Sequence, residues 1–383
     1  MRKLATAVVL AICVTMIAPT AVASAQPGGG SSRSPHPGGS SAHWPGRGAP
    51  PPRITDTLSF AAPAEVDVDP RTGRVFVAND GDSTVAVLDG RTHRTIATIP
   101  VGDGPGSTVF DGHRIYEANS WDGTISVIDA RTYKVVKTID TGQLYSQQLV
   151  VNHRLRKLYV AVYRSPVLVY DLDSLKLIGS IPDDDTNFIA INERTNTVYV
   201  TNYDDATVGV IDSRTDQLVA TVQVGPAAYP DDCYETDTCI VNPAGPDGVA
   251  VNTRTNRIYV DNVITGNIVT IDGRTNTIAG TIQTLPGQFW SAVDENTNFV
   301  YSTNFAESTL SVIDGRTNRL VDTVRIADGF SPPGCFSNQA TCTDFGAGSS
   351  SLAISPIAGE IYVPNFNINT LTVLSTRRWL PRH

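Results

Sequence analysis

Three features of the sequence predict an all-β fold, a seven-bladed β-propeller built from four-stranded blades. A short pattern recurs, its second strand ending at Val77-Ala-Asn79, Glu117-Ala-Asn119, Val160-Ala-Val162, Val200-Thr-Asn202, Val260-Asp-Asn262, Ser302-Thr-Asn304 and Val363-Pro-Asn365, at spacings of 40, 43, 40, 60, 42 and 61 residues. The units consist of short β-branched runs separated by Gly, Asn, Asp and Thr, with no helical periodicity. Side chains are apolar on both faces of the inner runs, as in Val198 and Val200 opposite Tyr199, and Val208 and Val210 opposite Ile211. A sheet of that kind must be covered on both sides, as stacked blades cover one another. With 383 residues, 41% of them hydrophobic, the chain can bury a large core.

Taken in order, Met1-Arg2-Lys3, the apolar run Leu4 to Ala18 and Ala23-Ser24-Ala25 have the charge, length and cleavage site of a signal peptide, expected over residues 1–25. The run is short for a spanning helix, and no membrane span is expected after cleavage. Residues 26–52 are a Pro/Gly/Ser-rich linker with almost no apolar side chain beyond Trp44. The propeller is expected over residues 53–376 and a short tail over 377–383. In the fourth unit the strands read A from Phe188 to Asn192, B from Thr197 to Asn202, C from Thr207 to Asp212 and D from Gln217 to Val224. The seventh unit stops after its third strand, near Val373-Leu374. The run Thr55 to Phe60 stands where other units carry D-strand sequence, so it is predicted to pair with the last blade and close the ring.

The run Tyr199-Val-Thr-Asn202, with echoes at Tyr259-Val-Asp-Asn262 and Tyr362-Val-Pro-Asn365 and the repeated Val-Ile-Asp-Gly-Arg-Thr-Asn, resembles the YVTN, or YncE-like, β-propeller family of surface-layer-type repeats. The resemblance spans 54 to 375 and implies a secreted or envelope propeller. It implies no single chemistry, because the same shape is shared with lactonases, virginiamycin B lyase and quinoprotein-like dehydrogenases. Blade three departs from the motif, with Val162 in place of Asn and Arg164-Ser-Pro166 as its turn.

Repetition also separates scaffold from site, since a residue found at one position in most blades serves local structure. Asp89, Asp129, Asp171, Asp212, Asp272 and Asp314 end strand C and are expected to cap the turn that follows. Asn79, Asn119, Asn202, Asn262, Asn304 and Asn365 fit turn chemistry between B and C. No zinc, nucleophile-elbow or phosphate-loop motif is present. Of the histidines, His93 falls in a C–D turn, and His113 and His153 in consecutive A–B turns.

Two insertions, 226–245 and 328–348, lie between strand D of one blade and strand A of the next, and each carries a cysteine pair. In an exported chain these four cysteines are expected as disulfides, Cys233 with Cys239 and Cys335 with Cys342, with cross-pairing between the loops as the alternative. Both insertions share one face, here called the top, with the B–C turns. If the strand reading holds, that face is rich in acids and nearly free of arginine, while the arginines gather at the opposite turns. The formal net charge is −9, and removal of Arg2 and Lys3 takes it to −11, which disfavours nucleic-acid binding. The sequence therefore predicts an exported binding or interaction module with a site at the top mouth of the channel. Its candidate residues are Tyr229, Asp231, Asp232, Tyr234, Asp247, Trp290 and Phe336, and its candidate partner is a cationic small molecule or basic protein patch. A monomer is expected. The alternative is a lyase- or lactonase-type enzyme using a divalent cation, Ca²⁺ or Mg²⁺, at the channel mouth; no general base stands out.

Overall fold

A computed structural model of the protein describes residues 51–183, 185–226, 244–327 and 347–377. Among them are twenty-eight strands, β1 to β28, in seven antiparallel sheets of four. Six sheets are simple meanders of consecutive strands A to D. The seventh runs β26 (Ala353–Ser355), β27 (Glu360–Asn365), β28 (Thr370–Ser375) and then β1 (Arg53–Ser59), so the first strand completes the last blade, as its sequence predicted. The A strands touch one another in a closed cycle, from β2 (Pro63–Val68) around to β26 and back, and form the inner ring.

In blade four the B and C strands run Thr197–Asn202 and Thr207–Asp212, as expected. Strand A begins earlier, at Thr186, and strand D ends at Gln223. The C–D pairing of blades one to six carries a bulge at a common place, such as Val210/Ile211 in blade four, and β1 carries its counterpart between Ile54 and Asp56. A bulge increases the local right-handed twist, and its presence in β1 shows how fully that strand substitutes for strand D.

The recurring Tyr of strand B stitches blade to blade. Tyr159, Tyr199, Tyr259 and Tyr362 are fully buried, and their hydroxyls reach the C–D turn of the following blade: Tyr362 to Gly90 O at 3.2 Å, Tyr259 to Gly315 O at 3.4 Å and Tyr159 to Asp216 Oδ1 at 2.7 Å. The turn glycine makes room for the hydroxyl. A Cβ on Gly273 would lie 2.7 Å from the Tyr199 hydroxyl, and one on Gly315 would lie 2.7 Å from that of Tyr259. Both recurrent polar sets behave as scaffold. Asp89 accepts hydrogen bonds from Arg91 N and Thr92 N, Asp212 from Arg214 N, Asp272 from Arg274 N and Asp314 from Arg316 N. Asn79, Asn119, Asn202, Asn262 and Asn365 each donate across the B–C turn to the residue five positions on.

Candidate functional site

One group of residues without counterparts in the other blades lines the inner wall of blades four to six. Strand A of blade five, β18 (Pro246–Asn252), starts at the top of the channel with Asp247 and Gly248. It is flanked by β14 (Thr186–Asn192) of blade four and β22 (Gln288–Asp294) of blade six. The sequence placed Asp247 among the channel-mouth candidates. In the fold its side chain is 1% exposed, because the neighbouring A strands close over it. Its Oδ1 accepts a hydrogen bond from Asn187 Nδ2, its carbonyl accepts one from Thr201 Oγ1 at 2.9 Å, and its Oδ2 is buried without a partner.

Asp261, on β19 (Arg257–Asn262), is the residue behind it. Also fully buried, it accepts hydrogen bonds at Oδ1 from Ser291 Oγ at 2.9 Å and Ser302 Oγ at 2.8 Å, and its Oδ2 is likewise unpartnered. Gly248 is required here, since a Cβ would lie 2.4 Å from Phe289 O and 2.7 Å from Asp261 Oδ2. Burial favours the neutral acid. It pushes the Asp247 carboxyl up to about 8, the Asn187 bond pulling back and the Asp261 charge adding to the rise. Burial likewise pushes Asp261 up to about 7, against the two serine bonds. Asp247 is therefore largely uncharged near neutrality and contributes little attraction for a cation.

Aromatic rings stand beside this pair. Phe188 meets Trp290 edge-on at 5.3 Å and Phe289 at 5.7 Å, and Phe289 lies 5.7 Å from Phe305. Trp290, Phe289 and Phe305 are half-buried. Trp290 and Asp247 lie in adjoining blades, six and five, on neighbouring A strands. Tyr229, Asp231, Asp232, Tyr234, Phe336, Cys233, Cys239, Cys335 and Cys342 lie outside the described residues.

A second buried acid pair sits on blades one and two, across the ring from the first in blade order. Glu65 and Glu117 bracket Thr108: Thr108 N donates to Glu65 Oε2, Thr108 Oγ1 to Glu117 Oε2, and Ser107 N to Glu117 Oε1 at 3.2 Å. Burial pushes Glu117 up to about 8, and burial together with the Glu117 charge raises Glu65 well above the usual range.

Comparison by turns and strand ends singled out Asp247 but missed Glu65, Glu117 and Asp261. The signal lay in strand registration. Where blade two has Glu117, the other blades have Val77, Val160, Val200, Val260, Ser302 and Val363. Where blade five has Asp261, they have Ala78, Ala118, Ala161, Thr201, Thr303 and Pro364.

On the top face, Arg164 pairs with Asp204, and Asp185 is raised to about 7 by burial, with the Asp204 and Asp205 charges adding to the rise. On the opposite face, Arg214, Arg274 and Arg316 pair with the turn aspartates Asp212, Asp272 and Asp314. Among the described residues no three acidic, histidine or cysteine side chains come together as metal ligands. Among the described residues no helix is long and apolar enough to cross a membrane.

The arrangement defines a class, the seven-bladed β-propeller. In structure the chain is similar to the β-propeller domain of Cps50 (Swd1) from Myceliophteria thermophila, with a TM-score of 0.67 and 11% identity over 85% of this chain and 100% of that one. It is also similar to hydrazine synthase of Kuenenia stuttgartiensis, with a TM-score of 0.66 and 17% identity over 85% of this chain and 97% of that one. No family model matches the chain, and no curated protein matches it in sequence. At these identities the likeness defines the fold alone.

Proposed function

We infer that the protein is a binding and interaction module of the YVTN type, exported to the cell surface or medium, with its ligand site at the channel mouth of blades four to six. One observation carries this reading: the second and third positions of strand A differ from blade to blade, and in blades four to six they bring Asn187, Asp247, Phe289 and Trp290 together, with Asp261 behind Asp247. The insertion at 226–245 joins blades four and five within this sector and that at 328–348 joins blade six to blade seven at its edge, which supports Tyr229, Asp231, Asp232, Tyr234 and Phe336 as further contacts, with the four cysteines as staples. The ligand class is a cationic small molecule or a basic protein patch. Half-buried aromatic faces suit a cation as well as carboxylates do, and any net charge attraction falls to Asp231 and Asp232 rather than to protonated Asp247.

Calorimetric titration with a polyamine such as spermine tests the reading. Trp290→Ala is expected to weaken binding about tenfold, the loss of roughly 1.4 kcal/mol, and the double change Asp231→Asn and Asp232→Asn to weaken it most at low salt. Absence of any heat for the unaltered protein, or unchanged affinity in both variants, would remove this reading.

A further inference from the structure

In several blades the residue that closes the C–D turn in a left-handed conformation reaches back to the preceding blade. Tyr133 lies under the Arg74 guanidinium of blade one at 5.6 Å, Asp216 takes Lys157 Nζ at 2.6 Å from blade three, and Asn318 donates to Thr270 of blade five at 3.3 Å. In blade one this residue is His93, at φ 56°, and the preceding blade is the one that β1 completes. Its Nδ1 lies 3.0 Å from Asp56 Oδ2 of β1, and its Nε2 lies 3.2 Å from Glu360 Oε2 of β27. A neutral imidazole carries one N–H and can serve only one of these carboxylates, leaving a ring lone pair facing the other; an imidazolium serves both.

We propose that ring closure is proton-locked: the doubly protonated His93 ring clasps the N-terminal strand β1 and β27 to blade one, and loss of that proton frees β1 ahead of every other strand. Besides this clasp, β1 is held by its backbone ladder to β28 and by Leu58, which packs against the core shared by blades seven and one. Like β25 (Arg319–Arg325) of blade six, it buries no side chain fully, whereas the outer strands of blades one to five each bury one, Ile99, Ile139, Ile181, Val222 or Ile282. Its side-chain hydrogen bond to β28 is Thr55 Oγ1 to Val373 O at 3.3 Å.

The remaining titratable and charged groups around the ring fit this assignment. Tyr362 of β27 stands edge-on to His93 at 6.1 Å and donates its hydroxyl to Glu360 Oε2 at 2.7 Å, so Glu360 is held as an acceptor. Asp89 on the same turn uses its carboxylate on the Arg91 and Thr92 amides. Arg91 and Arg94 flank His93 in sequence and are exposed. Burial opposes the ring's charge, but the bonds to Asp56 and Glu360 prevail and hold its pKa above the ordinary value. For a base raised in this way, the stabilisation is fully present below the unfolded pKa of about 6.5 and is lost as pH rises through the folded value.

Native-state amide exchange reads the clasp strand by strand. Between pH of about 5.5 and about 8.5, protection factors in β1 are expected to fall roughly tenfold relative to those in β5 (Arg94–Pro100), as one charge-assisted bond is lost. His93→Asn, which installs the residue found at this position in blades five and six, is expected to leave β1 poorly protected at both pH values with the other blades intact. Parallel loss in β1 and β5, or full β1 protection in H93N at low pH, would overturn the proposal. A ¹⁵N titration of the ring in the unaltered protein gives an independent reading: both ring nitrogens are expected to carry protons near pH of about 6.5, and a neutral ring there would overturn it.

Discussion

Asp272 and Asp261 lie on adjacent strands of one blade and behave oppositely. Asp272 ends strand C, pairs with Arg274 at 3.0 Å and accepts the Arg274 amide at 2.9 Å, and these bonds lower its carboxyl to about 2. Asp261 lies eleven positions earlier in the chain, sealed between blades, and burial raises it to about 7. The first aspartate has counterparts in almost every blade and the second has none. Recurrence marks residues whose partners are local backbone groups, supplied wherever the turn forms. Singularity marks residues whose surroundings come from the neighbouring blades, and it is these that shape the channel wall.

The largest effect separates scaffold from wall by packing. Tyr259→Ala removes a fully buried ring that spans two blades, and it is expected to cost about 3–5 kcal/mol in denaturant unfolding. Trp290→Ala, half-buried, is expected to cost clearly less while affecting binding more. If the two variants lose equal stability, the division fails.

The next effect concerns pH. Asp247 and Asp261 have folded values raised above the unfolded one of about 3.9, so their contribution is fully present below that value and is lost as pH rises toward 7 and 8. Replacing both with Asn should flatten the fall in melting temperature between pH of about 4 and about 8, and should leave the variant the more stable form at the upper end. An unchanged slope would show that neither acid holds its proton.

The smallest effect has the opposite sign. Asp272, with its lowered value, contributes stability above the unfolded pKa that is lost as pH falls toward about 2. Being near the surface, its replacement by Ala should cost below about 1 kcal/mol at neutral pH and nothing in strong acid. A larger cost would mean that the turn caps matter to the fold as much as the core does.

Much of the ring was legible from sequence because its determinants are local and repeated. The seven units, the B and C strands of blade four and the closing role of β1 follow from periodicity and turn chemistry. The candidate site was legible only in part. Asp247 stood out as an acid beside an insertion, but its burial depends on Asn187 and Gly248 meeting across blade boundaries. Glu117 and Asp261 resemble ordinary polar positions in alternating strands until the adjoining A strands close over them. His93 looked like any turn residue, and only ring closure brings Asp56 and Glu360 to its two nitrogens, from 37 and 267 residues away.

The most direct test is a ¹³C carboxyl titration that follows Asp261 and Asp272 in the same sample. The account predicts that Asp272 titrates near 2 and Asp261 near 7. Coincident titration of both near the ordinary value of about 4 would contradict it.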